Sequence, residues 1–443
     1  MNLRTTYLRY KFWINDFING SPIRTPYNEI KFITENSYDK GEKIREKKLK
    51  KLLQFAQKNC KFYKDITTTR LSDFPVMNKM LYKENYDMIR VDENLIPQQK
   101  GKLHIQRTSG STGTPFAIPQ DSQKRNRRIA ELKYFGKIVG FKTHDALIHL
   151  RTWNNWQQKT KAQIRRENIY PFDISDMSDE KMNDLYNLIK ETKAKCLRGY
   201  ASSFDKLCNY LIKNNKTISG IKICIAGSEA LQDDVRAKVK KLLNCEIISQ
   251  YANEECGILA QEQIPTNSTN NVMYLNNAGY YFEILKLETD EPAEYDELGR
   301  IVVTDLHNYA FPVIRYDTGD IGQISSPNKN SNGYPILSKL YGRKLDICYT
   351  TSGEPFHPMA IGRILKHFDD IIQWQFIQKS ETEYTLKVIM KEDIEYTQYL
   401  KTAIKYIKEV IGEDAIINRE YVKEIPVLSS GKHKSVVNEW KNG

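Results

Sequence analysis

Residues 221–255 read I-K-I-C-I-A-G-S-E-A-L-Q-D-D-V-R-A-K-V-K-K-L-L-N-C-E-I-I-S-Q-Y-A-N-E-E. Ile221–Ala226 is a short apolar run of strand type, and Cys245–Ser249 is another. Between them Asp233–Leu243 reads as a helix. Strand, helix, strand is the repeating unit of parallel sheets, so this stretch predicts an α/β core with a mostly parallel sheet. The pattern continues upstream, with a strand at Ala146–Leu150 and helices at Met182–Lys193 and Ser203–Lys213. Downstream it turns β-rich, with strands at Tyr281–Leu287 and Arg300–Thr304 joined by the acidic turn D-E-P-A-E-Y-D-E-L-G. Residues 325–335 (S-S-P-N-K-N-S-N-G-Y-P) are the strongest loop signal in the chain, and a domain boundary is expected soon after, near Gly342. Beyond it, a helix at Ala360–Phe368, a strand at Tyr384–Met390 and a helix at Tyr396–Ile411 suggest a small α+β domain. Near the start, Leu49, Leu52, Leu53 and Ala56 fall at helical spacing within 40–60. The expected division is therefore a helical segment over 1–95, a core over 96–341 and a small terminal domain over 342–443.

Composition excludes several classes. Of 443 residues, 40% are hydrophobic and 28% charged, which is ordinary for a folded globular chain. No apolar run approaches the roughly 20 residues that span a bilayer. Met1–Asn19 interrupts every apolar patch with Arg, Lys, Asn or Asp, so it lacks a signal-peptide core, and a cytoplasmic location is expected. Seven cysteines are scattered without a C-x-x-C pair, against both a disulfide framework and a zinc knuckle. The net charge of +12 is interleaved with acids on helical patterns, and no nucleic-acid motif accompanies it. Such a surface favours an anionic substrate, an acidic carrier protein or an anionic membrane surface.

The chemistry is concentrated in short motifs. Residues 107–116 read R-T-S-G-S-T-G-T-P-F. Glycine and small hydroxyl residues let backbone N–H groups turn inward around a phosphate, because no Cβ obstructs the approach. The stretch is not a Walker A loop, since no lysine follows the second glycine. Four further segments accompany it: S-Q-Y-A-N-E-E at 249–255, P-V-I-R-Y-D-T-G-D at 312–320, G-R-K-L-D at 342–346 and P-V-L-S-S-G-K at 426–432. In this order they resemble the motif set of the adenylate-forming enzymes, which comprise acyl-CoA synthetases, luciferases and peptide-synthetase adenylation domains. Phe116 after the loop proline, and the form of Gly299–Asp320, resemble more specifically the phenylacetate–CoA ligase branch and its CapK-like capsular-polysaccharide relatives.

The resemblance implies a large N-terminal α/β domain and a small mobile C-terminal α+β domain. It also implies a ligase using ATP and Mg²⁺. A small-molecule carboxylate attacks the α-phosphorus, and a nucleophilic acceptor such as coenzyme A, an amine or a sugar then displaces AMP. The alternative within this resemblance is transfer of AMP onto a hydroxyl. By the same resemblance, Thr108, Ser109, Gly110, Ser111, Thr112 and Gly113 hold the outer phosphates of ATP. Gly227, Ser228 and Glu229 form the adenine-side loop, and Tyr251 lies against the ring. Glu254 ligates Mg²⁺, with Glu255 as its competitor, and Asn253 stands where a threonine is usual. Asp320 accepts from the ribose hydroxyls, and Arg343 lies near ribose or phosphate beside a hinge at which Leu345 replaces the usual Asp or Lys. Lys432, with Lys434 close by, neutralises charge at the α-phosphate. Arg151, Trp153 and Tyr200 are expected to line the acyl pocket, and Trp156 and Arg198 lie in the same two stretches.

Overall fold

Along Ile223–Gly227 successive side chains enter different cores. Cys224 and Ala226 join one apolar cluster, while Ile223 and Ile225 join another. The strand is buried on both faces, as a central parallel strand must be when helices cover the sheet on each side. This follows from a computed structural model that describes residues 3–107, 116–153, 159–264, 271–343, 348–356, 359–365, 367–368, 370–391, 397–425 and 435–440.

A short hairpin, β1 (His104–Arg107) with β2 (Ala117–Gln120), precedes the main sheet. That sheet contains β3 (Leu147–Arg151), β4 (Ile169–Asp173), β5 (Cys196–Gly199), β6 (Ile223–Gly227), β7 (Glu246–Asn253), β8 (Gly257–Glu262), β9 (Met273–Leu275), β10 (Tyr280–Leu285), β11 (Leu298–Asp305), β12 (Tyr316–Ser325) and β13 (Ile336–Arg343). Its order is β10-β11-β12-β13-β9-β8-β7-β6-β5-β3-β4. From β7 to β4 every pairing is parallel. The β7/β8, β8/β9, β9/β13 and β10/β11 pairings are antiparallel. The mostly parallel sheet expected from sequence is thus one half of a larger mixed sheet.

The helices are set by local chemistry. Ser178 caps Asp179–Thr192 by accepting from Lys181 N, with acids in the first turn and Lys193 closing the end in the left-handed region. Asp233–Leu243 likewise starts on two acids and ends on Lys240 and Lys241, before left-handed Asn244. These helices and Ala201–Lys213 press Met182, Leu185, Ile189, Phe204, Leu207 and Val239 onto one face of the parallel half. Helix Ser122–Ile138, capped by Asp121, contributes Ala130, Tyr134 and Phe135 to a separate core with Ile258 and Ala278.

The first ninety residues are helical at Leu3–Ile18, Arg24–Glu35 and Tyr38–Asn59. Ile30 and Ile33 pack into the core of helix Ser122–Ile138. Further on, Met77 N donates to Arg315 O (2.9 Å) and Asp317 N to Met77 O (2.9 Å), while Tyr82 accepts from Ile314 N (2.7 Å). The N-terminal segment is therefore stitched to the P-V-I-R-Y-D-T-G-D motif. All seven cysteines are buried and free.

Two compact units emerge. Among the described residues, the larger holds the chain up to Lys339 except Gly319–Gly322. The smaller holds Gly319–Gly322 and Leu340 onward. The smaller unit contains the two-stranded β14 (Cys348–Tyr349) and β15 (Pro355–Phe356), then β16 (Ile371–Gln378), β17 (Glu383–Met390), β18 (Ile416–Tyr421) and β19 (Val436–Asn438) in the order β18-β17-β16-β19. Helix Thr397–Ile411 buries Leu400, Ala403, Ile407 and Ile411 against Phe376, Leu386 and Val388 of this sheet.

Candidate active site

The carboxyl ends of β3, β5, β6 and β7 lie side by side, with His149 opposite Arg198, Gly199 opposite Ala226, and Gly227 opposite Gln250. In an open α/β sheet such ends form the natural crevice for a ligand. Arg151 ends β3, Arg198 lies near the end of β5 with Tyr200 just beyond it, Glu229 follows β6, and Tyr251 and Asn253 close β7 just before Glu254. Gly199 permits this close approach, because a Cβ there would lie 2.6 Å from Leu150 Cβ.

Strand β7 runs further than the sequence pattern suggests. Its pairing with β8 carries it through Gln250 and Tyr251 to Asn253, so the Y-A-N motif lies within the strand. The turn that follows is fixed by Asn253, whose Oδ1 accepts from Cys256 N at 2.8 Å. The amide nitrogen of Asn253 is the half left to donate. The same turn separates the two neighbouring acids. Glu255 is buried against Lys79 (3.6 Å), whereas half-buried Glu254 accepts from Gln106 Nε2 at 2.6 Å and its carbonyl from Arg128 at 3.2 Å. Glu254 is thus the acid presented to the crevice.

Burial pushes the Tyr200 hydroxyl pKa up; Arg151 draws it back, and Glu229 and Glu254 push it further. These three charged groups therefore act on one phenol electrostatically. Burial lowers the Arg198 pKa first, Cys196 and Glu254 then draw it up and Arg128 and Arg151 push it down, with a net downward shift. It donates to Gln250 Oε1, and Gln250 donates to Gln261, so a row of side-chain amides holds the guanidinium in place. His149 is driven well below its usual range by burial, with Arg198, Arg151 and Lys159 adding to the effect, and stays neutral. Arg151 packs over the Trp153 ring (5.4 Å), and its buried Nε has no hydrogen-bond partner among the described residues. Trp153 donates to Phe172 O at 3.2 Å. A guanidinium with an unused buried donor, beside a phenol, is suited to a carboxylate.

At the end of β6 and just past it, a Cβ on Gly227 would touch Gln250 O at 3.4 Å, Ser228 is exposed at φ 65°, and Glu229 accepts from Ser202 N (2.8 Å) at the start of helix Ala201–Lys213. Tyr251 is buried, and its hydroxyl bonds Thr318 Oγ1 at 3.2 Å, which joins the Y-A-N-E-E motif to the D-T-G-D motif. Asp320 lies within β12 after Gly319 (φ 76°), and Arg343 is the exposed last residue of β13. Both belong to the smaller unit. Arg315 is engaged structurally: it pairs with Glu283 (3.1 Å) and donates to Phe74 O (2.8 Å). Thr108, Ser109, Gly110, Ser111, Thr112, Gly113, Trp156, Leu345, Lys432 and Lys434 lie outside the described residues.

Gln106 and Arg128 were not singled out from sequence. Gln106 carries no signal beyond its place beside the loop, and Arg128 sits in a run of cations on helix Ser122–Ile138 that reads as a solvated face. No group of three or more His, Cys, Asp or Glu that could cage a metal exists among the described residues. A lone carboxylate such as Glu254 suits a cation whose remaining ligands are water and phosphate oxygens, which is the habit of Mg²⁺.

Comparison with known proteins places this geometry. Residues 348–439 match the family model of the CapK C-terminal domain. Protein CapK of Staphylococcus aureus is 23% identical over 437 residues, covering 94% of this chain and 92% of that protein. Among solved structures, 2-hydroxyisobutyryl-CoA ligase bound to an acyl-AMP superposes with a TM-score of 0.71 at 16% identity, over 93% of this chain and 92% of that one. The anthranilate CoA ligase bound to anthranoyl-AMP gives 0.55 at 14% identity, over 74% and 64%. Among the described residues no helix is long and apolar enough to cross a membrane. The chain is accordingly similar to CapK over most of its length and shares its fold with these CoA ligases.

Proposed function

We propose that this protein is an ATP- and Mg²⁺-dependent ligase of the phenylacetate–CoA ligase branch. It activates a carboxylate as its adenylate and passes the acyl group to coenzyme A, or to an amine or sugar in surface-polysaccharide assembly. One observation carries the reading: motifs distant in sequence meet at the carboxyl ends of β3, β5, β6 and β7, with Tyr251 bonded to Thr318 and with Glu254 accepting from Gln106. The acyl-AMP ligands named in the two ligase structures support it. An acidic carrier protein as a further acceptor fits the charge of +12, and a cytoplasmic location fits the interrupted apolar patches of Met1–Asn19.

In this reading Arg151 takes the substrate carboxylate with its unpartnered Nε, and Tyr200, kept protonated by burial, orients it. A carboxylate oxygen attacks the α-phosphorus, the bond to the bridging oxygen breaks, and pyrophosphate leaves with the electron pair. The acceptor then adds to the acyl carbon and expels AMP. Most of this rests on positioning and charge neutralisation. Glu254 is the residue that would hold Mg²⁺, which would spread the charge of the phosphate oxygens. The 108–113 loop takes the outer phosphates and Lys432 the α-phosphate. Asp320 takes the ribose hydroxyls, with Arg343 nearby, and Tyr251, Asn253 and Gly227–Glu229 define the nucleotide side.

Carboxylate-dependent exchange of labelled pyrophosphate into ATP tests the reading, over aryl, amino, hydroxy and sugar acids, with Lys432→Ala in parallel. Exchange with one acid class, abolished in the variant, is the expected result. ATP binding without exchange for any acid would overturn it and turn attention to AMP transfer onto a hydroxyl.

A further inference from the structure

Helix Leu3–Ile18 is fastened through Arg9, Phe12, Trp13 and Asp16. Arg9 pairs with Asp145 (2.7 Å), Phe12 packs on His144 (5.1 Å) and Trp13 on Tyr27 (5.6 Å). Buried Asp16 accepts from Ile23 N (2.8 Å) and Arg24 N (3.0 Å), at the start of the next helix. These contacts fix the helix's rotation. Since helical residues advance by about 100° each, Leu3, Tyr7, Tyr10, Ile14, Phe17 and Ile18 then share the opposite face. All six are between 56% and 81% exposed. A continuous stripe of this kind on a surface is unusual and marks an interaction site.

Charge identifies the occupant. Lys11 and Arg4 lie along one margin of the stripe. Arg4 also donates to the carbonyl of Arg165 (3.3 Å), which brings helix Lys161–Glu167 alongside, with Lys161, Arg165 and Arg166 exposed. Aromatic and aliphatic side chains bordered by cations are the chemistry of a helix lying in a bilayer interface. A second copy seated on the same face would bring identical cations together in a chain already at +12. We propose that this face docks the protein reversibly on an anionic lipid bilayer, with the stripe entering the headgroup boundary. This inference stands apart from the proposed reaction, because none of these residues belongs to the candidate active site.

Flotation of the full chain with vesicles tests it. The vesicles are phosphatidylcholine alone or with about 30 mol% phosphatidylglycerol, chosen as anionic lipid. The wild-type chain is expected to float with the anionic vesicles at low salt and to partition at least about tenfold less onto neutral ones. Tyr10→Ser/Phe17→Ser is expected to lose at least about tenfold in partitioning at unchanged melting temperature, and Arg165→Gln/Arg166→Gln to flatten the salt dependence. Wild-type protein left unbound by anionic vesicles would overturn the proposal without reference to any variant. So would undiminished binding by Tyr10→Ser/Phe17→Ser, or light scattering that shows a wild-type dimer dissolved by that variant.

Discussion

Helix Ser122–Ile138 supplies cations to two charged clusters with opposite characters. Arg128 joins Arg151, Arg198 and Glu254 at the strand ends, where Arg151 keeps a buried Nε unpartnered and Glu254 is half-buried. One turn away, Lys124 meets Asp305 at 2.6 Å with both side chains fully buried, and donates to Tyr280 at 3.1 Å. Tyr280 in turn donates to Cys256 O at 2.7 Å, beneath the turn that presents Glu254. Arg127 pairs with Glu29 (2.6 Å) and lies 3.6 Å from Glu131. The sealed cluster closes its charges into ion pairs, Lys124 with Asp305 and Arg127 with Glu29 and Glu131, and so serves as framework even though Arg127 Nε and Glu131 Oε1 make no hydrogen bond among the described residues. The open cluster leaves charge to be met by a ligand. Pairing, more than burial, distinguishes a strut from a site.

The sharpest way to break this comparison is Lys124→Met, which strands Asp305 without its cation. It should cost about 3–5 kcal/mol of unfolding free energy, read by denaturant titration, and Lys124→Met/Asp305→Leu should recover most of the loss. If the single variant is as stable as wild type, the cluster is not a framework. In the open cluster, Glu254→Gln and Arg151→Gln should lower pyrophosphate exchange about 10²–10³-fold, or about 2.7–4 kcal/mol in the barrier. Their unfolding midpoints should move far less than that of Lys124→Met, since neither substitution breaks a buried ion pair among the described residues. A large stability loss in either would place that residue in the framework class.

Gly199→Ala probes the contact between the two roles. Its Cβ would meet Leu150 Cβ at 2.6 Å and Leu150 O and Ser203 Oγ at 3.0 Å, so about 1–3 kcal/mol should be lost, with exchange weakened by displacement of Arg198 and Tyr200. The smallest effect concerns acid. Burial, with Lys133 and Arg9 nearby, lowers the His144 pKa from 6.5 to about 4. Between these values the unfolded chain binds a proton that the folded chain refuses, so stability falls as pH drops below about 6.5. His144→Asn, which suits the φ of 61° there, should remove about 1 kcal/mol of the loss between about pH 7 and about pH 5.5. Identical slopes in the two proteins would show that His144 titrates normally.

Much of the framework was legible where apolar periodicity is strong. The helix read at Asp233–Leu243 has those limits, and the strand read at Ala146–Leu150 is shifted by one residue to Leu147–Arg151. Polar strand ends were not legible. Residues 250–253 look like a loop because Gln and Asn disfavour strands, yet pairing with β8 holds them extended. Ile169–Asp173 contains Pro171, and Cys196–Gly199 ends in Arg-Gly, so neither announces itself as a strand. Lys124, Arg127 and Glu131 fall at a spacing that places charges along one helical face, which by itself reads as solvated. Their inward direction depends on Asp305 and Glu29, distant in sequence.

The sequence by itself determined the α/β character, the free cysteines and the motif set, because each depends on local composition or on residues a few positions apart. Tertiary structure decided that parallel and antiparallel halves form one sheet, that Glu254 faces the crevice while Glu255 faces Lys79, and that the N-terminal segment is bonded to the motif around Arg315. The physical reason is that pairing, burial and charge compensation depend on partners brought from far along the chain. Local pattern records what a residue can do, and the fold selects which partner it finds.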